Sequence, residues 1–453
     1  MKAALACIFF ATLLAGGCAT YRDQPISPES GYAGLDARSL DDAGLRCLLE
    51  ANGDAQAQWP QKQWGLRELT LAAFYYHPNL QLAQENILVA EAGVRTAGER
   101  PNPTLSVTPS YDFNPGNHGP WSPLVAFDIP IETAGKRKRR LEEAEQNTES
   151  ARLAAVAAAW QVRSDVRSGL VDLAASERRS QLLNRRSELE RQMVGRLRQR
   201  LAAGAIGTQD LAVQEVALAQ AEADAAGALH QAATARANLA QALGLPLRAL
   251  NDHEFAFALS EVPDEGTLVT ADARRQAIVG RADVRAALAD YAASQSALRL
   301  EVAKQYPDIH LGPGYSWNQQ GEGESDAEIG LGLELPILNR NEGPIAEAEA
   351  RRNQAAARFL AVQAKAMAEV DRAIAAYRAS RNNLTALQSV ASAQRDAERS
   401  AQARVREGEA DPLDLLHADL EVNRAESAET DALAQLQQDI GALEAAVQSQ
   451  FKP

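Results

Sequence analysis

The sequence predicts a mainly α-helical protein with a small β part, built from a duplicated unit of helix, β-hairpin, long helix and helix. Three observations support this class. The chain repeats itself at a constant offset, it contains long segments without glycine or proline, and two pairs of short segments alternate between apolar and polar residues. Ala, Glu, Gln, Arg and Leu dominate the composition, which is typical of long helices and coiled coils.

The duplication is visible as matched positions that lie 204 residues apart. An in-register repeat of this length indicates that one structural unit occurs twice. Within the hairpins the offset becomes 206, from Pro130 to Pro336, so the second hairpin carries two extra residues. The pairs at offset 204 are Asn79 and Asp283, Pro103 and Pro307, Gly204 and Gly408, and Asp210 and Asp414.

The longest helical segment predicted is 345–407, which has no glycine or proline over 63 residues. As one continuous helix it would be about 95 Å long. A periodic segment far longer than about 25 residues indicates a coiled coil or a helical array. The sequence divides into a signal peptide at 1–17, a tether at 18–65, a first repeat at 66–246, a linker at 247–265 and a second repeat at 266–453.

Each repeat contains one predicted hairpin. Alternation of apolar and polar residues predicts strands, and each segment is close to the length of about 9–11 residues with which a tilted strand crosses a bilayer. A soluble hairpin would alternate in the same way. The predicted strands are 104–113 and 122–131 in the first repeat, and 308–317 and 326–337 in the second.

The N-terminus has the features of a secreted, lipid-anchored protein. Lys2 precedes an apolar run of signal-peptide length, which is too short for a membrane-spanning helix. The sequence LAGGC before and at Cys18 resembles a bacterial lipobox, so Cys18 is the candidate lipidation site. Ala19 in place of Asp favours sorting to the outer membrane of a Gram-negative bacterium. An ordinary signal peptide with a chance cysteine is the alternative. We expect the tether at 18–65 to pack loosely on the body.

Charge and composition exclude several classes of function. The formal net charge is −14 and aromatic residues make up 5% of the chain, a balance that argues against a nucleic-acid partner. We find no catalytic motif and predict that the protein is not an enzyme and uses no cofactor. The six histidines lack metal-ligand spacing, so no dedicated metal site is predicted; they are His77, His118, His230, His253, His310 and His417.

No segment of the mature chain offers the roughly 20 apolar residues of a transmembrane helix. If the four strands enter a bilayer, an open sheet would leave edge backbone groups unpaired in hydrocarbon at several kcal/mol each. A closed barrel needs at least about eight strands, so four strands per chain require an oligomer. Two copies or three copies would satisfy this requirement.

The order of the elements, their duplication and the lipobox resemble the TolC family of outer-membrane efflux channels. The segments RPNPTLSV, FDIPIETAGKRKRR and LPILNRNEGPIAEAEA are most similar to the CzcC-type branch, which serves heavy-metal pumps of the resistance-nodulation-division class. The resemblance implies a homotrimer, with a β-barrel in the outer membrane and an α-helical barrel in the periplasm. It also implies a periplasmic adaptor and an inner-membrane pump as partners.

The same resemblance assigns three sets of site residues. Gly204 and Gly408 would allow chain reversal at the periplasmic tips, where Asp210 and Asp414 can cap the next helix. The adaptor-docking set is Arg200, Gly204, Asp210, Leu211, Arg404, Gly408, Asp414 and Leu415. The candidate acidic constriction is Glu409 and Asp411, whose positions in the first repeat are occupied by Ala205 and Gly207. The barrel-to-tunnel junction is Pro130, Gly135, Pro336 and Gly343, within which the Asn341–Gly343 stretch suits a backbone leaving β geometry.

The function implied is a passive exit duct for substrates handed over by the pump and the adaptor. Divalent heavy-metal cations are one substrate class, and drugs, dyes and organic solvents are others. A structural coiled-coil outer-membrane lipoprotein and a periplasmic adaptor are the alternatives. An adaptor has a single coiled-coil hairpin, whereas this chain duplicates hairpins and helices.

Overall fold

The computed structural model describes residues 20–53, 59–111, 113, 121–263, 271–317 and 325–451. Helices dominate it, and the elements follow the predicted order twice. The helices are α1 (Pro28–Asp36), α2 (Ala43–Ala51), α3 (Leu66–Tyr76), α4 (Pro78–Gly98), α5 (Lys136–Ala202), α6 (Thr208–Leu243), α7 (Ala271–Gly280), α8 (Ala282–Ala303), α9 (Glu342–Arg406) and α10 (Pro412–Val447). The strands are β1 (Gln63–Trp64), β2 (Thr104–Thr108), β3 (Leu124–Ile131), β4 (Glu254–Phe255), β5 (Ile309–Trp317) and β6 (Ser325–Leu333).

The two repeats correspond element by element, which confirms the duplicated unit. Helices α6 and α10 each have 36 residues, and their first residues lie 204 positions apart. Helix α5 has 67 residues and α9 has 65. The second long helix is therefore shorter by the two residues that its hairpin gained. This compensation explains why the offset returns to 204 at the far turn.

The two hairpins form one antiparallel sheet in the strand order β2-β3-β5-β6. The inner strands belong to different repeats, and their register places Val125 opposite Tyr315 and Ile131 opposite Ile309. Strands β2 and β6 form the two edges of this sheet. One face carries apolar side chains along every strand, and the other face carries mostly polar residues and glycines. Among the described helices, none combines the length and the apolar character needed to cross a membrane.

Two of the predicted strands end several residues earlier than expected. Strand β2 ends at Thr108, before Pro109, and its register continues only as an isolated bridge between Tyr111 and Trp121. Strand β6 ends at Leu333, three residues before Pro336. A proline cannot donate to the ladder and restricts the residue before it, which accounts for the end of β2 directly before Pro109.

The expectation of a loosely packed tether is wrong for the part of 18–65 that the structure describes. Leu40, Leu45 and Leu49 are at most 1% exposed and belong to the largest hydrophobic core. Leu45 and Leu49 lie one helical turn apart on α2, so both face the body. The guanidinium of Arg38 donates to the carbonyls of Tyr76 and Gly244, both at 2.8 Å. This segment is an integral layer of the first repeat.

The predicted linker at 247–265 is also packed against the body in its described part. Leu250 is fully buried, and β4 pairs with β1 in parallel. The side chain of Gln437 on α10 donates to the carbonyls of Leu259 and Glu261 at 3.0 and 2.8 Å. The linker therefore connects the first repeat to the last helix.

At the far end of the long helices, α5 packs against α10. Leu189 and Met193 of α5 form a buried cluster with Leu413, Leu416 and Leu420 of α10. These helices come from different repeats, so the two coiled coils of the chain lie side by side near their tips.

Candidate functional sites at the two ends of the long helices

Both long helices end in the same glycine turn. Gly204 has φ +74° and Gly408 has φ +77°. The N–H of the residue after each glycine donates to the carbonyl of Arg200 or Arg404, at 2.9 Å in both cases. This is the Schellman ending of a helix, in which glycine adopts the left-handed conformation without a steric cost. The same reversal therefore occurs at both tips.

The aspartates that follow these turns fix the start of the next helix. The carboxylate of Asp210 accepts from the backbone N–H of Gly207 at 3.1 Å, and Asp414 accepts from that of Asp411 at 3.2 Å. Both lie at the third helical position and form half of a capping box. The second tip has an additional cap, since Asp411 accepts from the N–H of Leu413 at 2.9 Å.

The two tips meet through one ion pair. The guanidinium of Arg200 in the first repeat contacts the carboxylate of Asp411 in the second. This contact, together with the hydrogen bond from Leu413, holds the pKa of Asp411 below its usual range. Arg404, Glu409, Asp210 and Asp414 are exposed, whereas Arg200 and Asp411 are half-buried. Leu211 and Leu415 are half-buried.

The two residues of the candidate acidic constriction have different surroundings. Glu409 is exposed, but the charge of Asp411 is compensated by Arg200 within the same chain. The two residues are therefore not equivalent free carboxylates. While the ion pair is intact, a ring of carboxylates formed by this tip would depend mainly on Glu409.

The ion pair is the last of several contacts along the seam between α5 and α10, which sequence reasoning missed. Arg179 pairs with Asp431. Nearer the middle of α5, Arg163 and Arg167 lie 3.3 and 3.7 Å from Glu444, which is close to the C-terminal end of α10. The sequence did contain a signal for these contacts: residues 178–200 contain eight arginines, and α10 contains eight acidic residues with one arginine. Pairing them required the knowledge that α5 packs on α10.

At the other end of the long helices, two left-handed residues mark the junction of sheet and helix. Gly135 has φ +71° and precedes α5, and Asn341 has φ +61° and precedes α9. Gly343 lies in the first turn of α9 and does not have a positive φ, so the role predicted for it belongs to Asn341. Pro130 lies inside β3 opposite His310, whereas Pro336 lies beyond β6.

The sheet exposes a large apolar surface on one face. Val107, Ile329 and Leu331 are 60%, 80% and 73% exposed. The opposite face carries Asp128, His310 and Glu328, and Nδ1 of His310 lies 2.9 Å from the carboxylate of Asp128. An apolar surface of this kind marks contact with a membrane or with another protein.

Two further predictions concern lipid and metal. Cys18, the candidate lipidation site, lies outside the described residues, as does His118. Within the described ranges, no group of three or more His, Cys, Asp or Glu side chains is arranged to hold a metal ion.

The two hairpins of the duplicated unit share one sheet with an exposed apolar face, and long paired helices extend from one end of it. This fold defines a class of protein whose sheet contacts a membrane or another protein. Comparison with known families specifies this class. The sequence profile described as "Outer membrane efflux protein" matches residues 73–245 and 273–447. The chain belongs to this outer membrane efflux family, whose members are efflux proteins of the Gram-negative outer membrane and not enzymes.

Individual relatives are distant. The chain is 24% identical over 283 residues to the cobalt-zinc-cadmium resistance protein CzcC of Cupriavidus metallidurans. The match spans 62% of this chain and 65% of that protein, slightly less than two thirds of its length. Among solved structures, a membrane protein from Pseudomonas aeruginosa has a TM-score of 0.70 at 23% identity, covering 84% of this chain and 92% of that one. The outer membrane protein VceC of Vibrio cholerae has a TM-score of 0.69 at 21% identity, covering 85% and 97%. These structures share the fold, which confirms the TolC-like architecture. No comparison supports a structural lipoprotein or a periplasmic adaptor.

Proposed function

We propose that the protein is the outer-membrane channel of a tripartite efflux system, a passive exit duct that receives substrates from an inner-membrane pump through a periplasmic adaptor. The observation that carries this proposal is the four-stranded sheet. Its apolar face is exposed, and its edge strands β2 and β6 have unpaired outer sides within the chain. Such a sheet is stable in a bilayer only if its edges pair with other copies.

A homotrimer satisfies this requirement. Pairing β6 of one copy with β2 of the next closes the sheet, and three copies give twelve strands, above the minimum of about eight for a closed barrel. The polar face with Asp128 and Glu328 then lines the lumen, and the apolar face contacts lipid. The long helices extend the duct away from the membrane, α9 alone over about 97 Å for its 65 residues.

The tips of the coiled coils are the proposed adaptor-docking surface. They place two equivalent turns next to one another, with Arg404 and Asp210 exposed beside half-buried leucines. A polar rim around small apolar contacts is the composition of a reversible protein interface. Acylation at Cys18 would hold the N-terminal segment, which packs on the first repeat, at the membrane surface.

Divalent heavy-metal cations are the proposed substrates. The relative from Cupriavidus metallidurans is named for cobalt, zinc and cadmium resistance, and the polar sheet face carries carboxylates that raise the local concentration of cations. Expression in a strain that lacks its own channel of this type should restore growth on zinc or cadmium salts when the cognate pump is present. Rescue against an organic dye but not against the metal salts would overturn the cation assignment and leave the duct intact.

Disulfide cross-linking tests the closed oligomer directly. In a Cys47→Ala background, one cysteine on the polar face of β2, such as Ser106→Cys, is combined in turn with cysteines at Asp326, Glu328 and Gly330 on β6. Oxidation in outer-membrane vesicles should give covalent dimers and trimers for the pair that is in register. Ala126→Cys on the inner strand β3 is the matched control and should not cross-link between chains. Absence of intermolecular products for every β2–β6 pair would contradict closure by assembly.

A further inference from the structure

A cleft lined by three arginines lies where the sheet meets the long helices. It has a volume of about 420 Å³, within the range of about 300–1,000 Å³ typical of small-molecule sites. Arg139 comes from α5, Arg299 from α8 and Arg352 from α9. The other lining residues are Ala134, Gln295, Leu298, Val302, Ala303 and Tyr306, so the lining contains three cations and no carboxylate. We call this site the arginine cleft.

The arginines keep most of their hydrogen-bonding capacity available. Arg139 contacts Glu142 at 2.8 Å and is one-third exposed. Arg352 donates to its neighbour Asn353 at 3.3 Å. Arg299 is exposed and lies within electrostatic range of Glu142. Since Glu142 compensates only one charge, the cleft is cationic, which makes it complementary to an anion.

The lining of the cleft also includes exposed apolar side chains. Val302 is 42% exposed and Tyr306 is 61% exposed. Tyr306 lies three residues before β5, and Ala134 lies three residues after β3, so the cleft lies at the end of the sheet where the strands meet the helices. A cationic site beside exposed apolar side chains matches a molecule with an anionic head and a hydrocarbon tail.

The opposite side of α8 is lined mainly by carboxylates instead of arginines. A second cleft there is lined by Glu143, Asp290, Glu301 and Glu347, with two arginines. At about 100° per residue, positions 290 and 301 of α8 point away from 299 and 302. The two clefts therefore lie on different sides of α8, one lined by four carboxylates and the other by three arginines and exposed apolar side chains. Of the two, the arginine cleft has the chemistry that suits contact with lipid.

We propose that the arginine cleft binds the headgroup of an anionic glycerophospholipid of the periplasmic leaflet, with its acyl chains along the apolar face of β5 and β6. This inference rests on the proposed function, since it places the apolar face of the sheet in the outer membrane. Bound lipid would fix the junction of three helices, α5, α8 and α9, at the level where the strands pass into the helical duct.

Native mass spectrometry of the full-length protein in detergent tests this proposal, with phosphatidylglycerol, phosphatidylethanolamine and inorganic phosphate as the probes. The wild-type protein should retain phosphatidylglycerol in preference to phosphatidylethanolamine. An arginine at an anionic lipid surface contributes about fivefold in affinity, so Arg299→Gln with Arg352→Gln should lower phosphatidylglycerol affinity by about 25-fold. Binding of phosphatidylethanolamine should not change.

The first repeat offers a matched control. Arg95 is the exposed residue 204 positions before Arg299, and it does not line the arginine cleft. Arg95→Gln should leave phosphatidylglycerol binding unchanged. The single variant Arg299→Lys keeps the charge and should retain most of the binding, which gives a second readout if the double variant fails to fold.

Three results would overturn the lipid assignment. The first is equal retention of the two lipids by the wild-type protein. The second is equal phosphatidylglycerol affinity in the wild type and the double variant. The third is displacement of the lipid by millimolar inorganic phosphate, which would indicate a site for a free anion. The proposed function fails by a different result, namely a wild-type protein that does not form a closed oligomer in the outer membrane.

Discussion

Arg200 and Asp411 form an ion pair that joins the two repeats at the tip of the coiled coils. The pair breaks the internal symmetry of the chain. Arg404 is the equivalent of Arg200, but the position equivalent to Asp411 is Gly207, which has no side chain to complete a second pair. At the tips, the duplicated unit thus has one such ion pair where its symmetry would allow two, at the end where a duct would have to widen.

Loss of this ion pair should open the tip. Asp411→Asn keeps a residue that is well suited to cap α10 but removes the charge that binds Arg200. We expect a severalfold higher conductance in planar bilayers, because the two coiled coils separate more easily. Arg198→Gln is the control, since Arg198 pairs with Glu215 inside the first repeat at 2.6 Å. Identical conductance for Asp411→Asn and wild type would show that the pair does not hold the tip.

The pH dependence of the same contact has a definite sign. Arg200 holds the pKa of Asp411 below its usual range, so the pair stabilises the contact between the two tips above the ordinary aspartate value of about 3.9. That contribution is lost as the pH falls through the lower folded-state value. Conductance should therefore be constant from pH 8 to pH 5 and rise only below about pH 3.9. An acid response of the same size in Asp411→Asn would assign it to other groups.

Truncation of a leucine in the N-terminal segment should destabilise the whole protein. Leu45 is fully buried, and Leu→Ala in a packed core costs about 2–5 kcal/mol. Leu45→Ala should lower the apparent midpoint of thermal unfolding by several degrees. Leu35→Ala, on the half-exposed side of α1, should have little effect. Equal midpoints for the two variants would mean that the segment is a loose tether after all.

At the junction before α9, Asn341 and not Gly343 should be sensitive to substitution. Asn341 is left-handed and donates to the backbone and carboxylate of Glu301 at 2.8 and 2.9 Å, so Asn341→Ala should cost about 1–2 kcal/mol in backbone conformation alone. Gly343→Ala has open space and a helical backbone and should be neutral or stabilising by up to about 1 kcal/mol. Thermal unfolding midpoints in the reverse order would contradict this assignment.

The features that could be predicted from the sequence are the ones that local patterns determine. The long helices followed from segments without helix breakers, and the tip turns followed from Gly204 and Gly408. The duplication was visible because matched residues keep a constant spacing. Four strands were found from alternation, although β2 ends at Thr108, directly before Pro109, and β6 ends at Leu333, earlier than alternation alone predicts.

The features that were missed depend on contacts between distant parts of the chain. Burial of Leu45 requires α3 and α6 to form a surface for it, and nothing in the local sequence specifies that surface. Arg200 and Asp411 lie 211 positions apart, and their contact follows only from the packing of α5 on α10. Asn341, and not Gly343, is the left-handed residue because it is the one that directly precedes α9. The start of a helix can be placed from local propensity only to within one or two residues.

The most direct test of the central claim is the mass of the detergent-extracted protein from the outer-membrane fraction, measured by light scattering with correction for bound detergent. The account predicts a trimer, whose mobility on a gel increases when the sample is heated. A monomer in that fraction would contradict it, because a four-stranded sheet with open edges could not be stable in the membrane, and the hairpins would have to lie outside the bilayer.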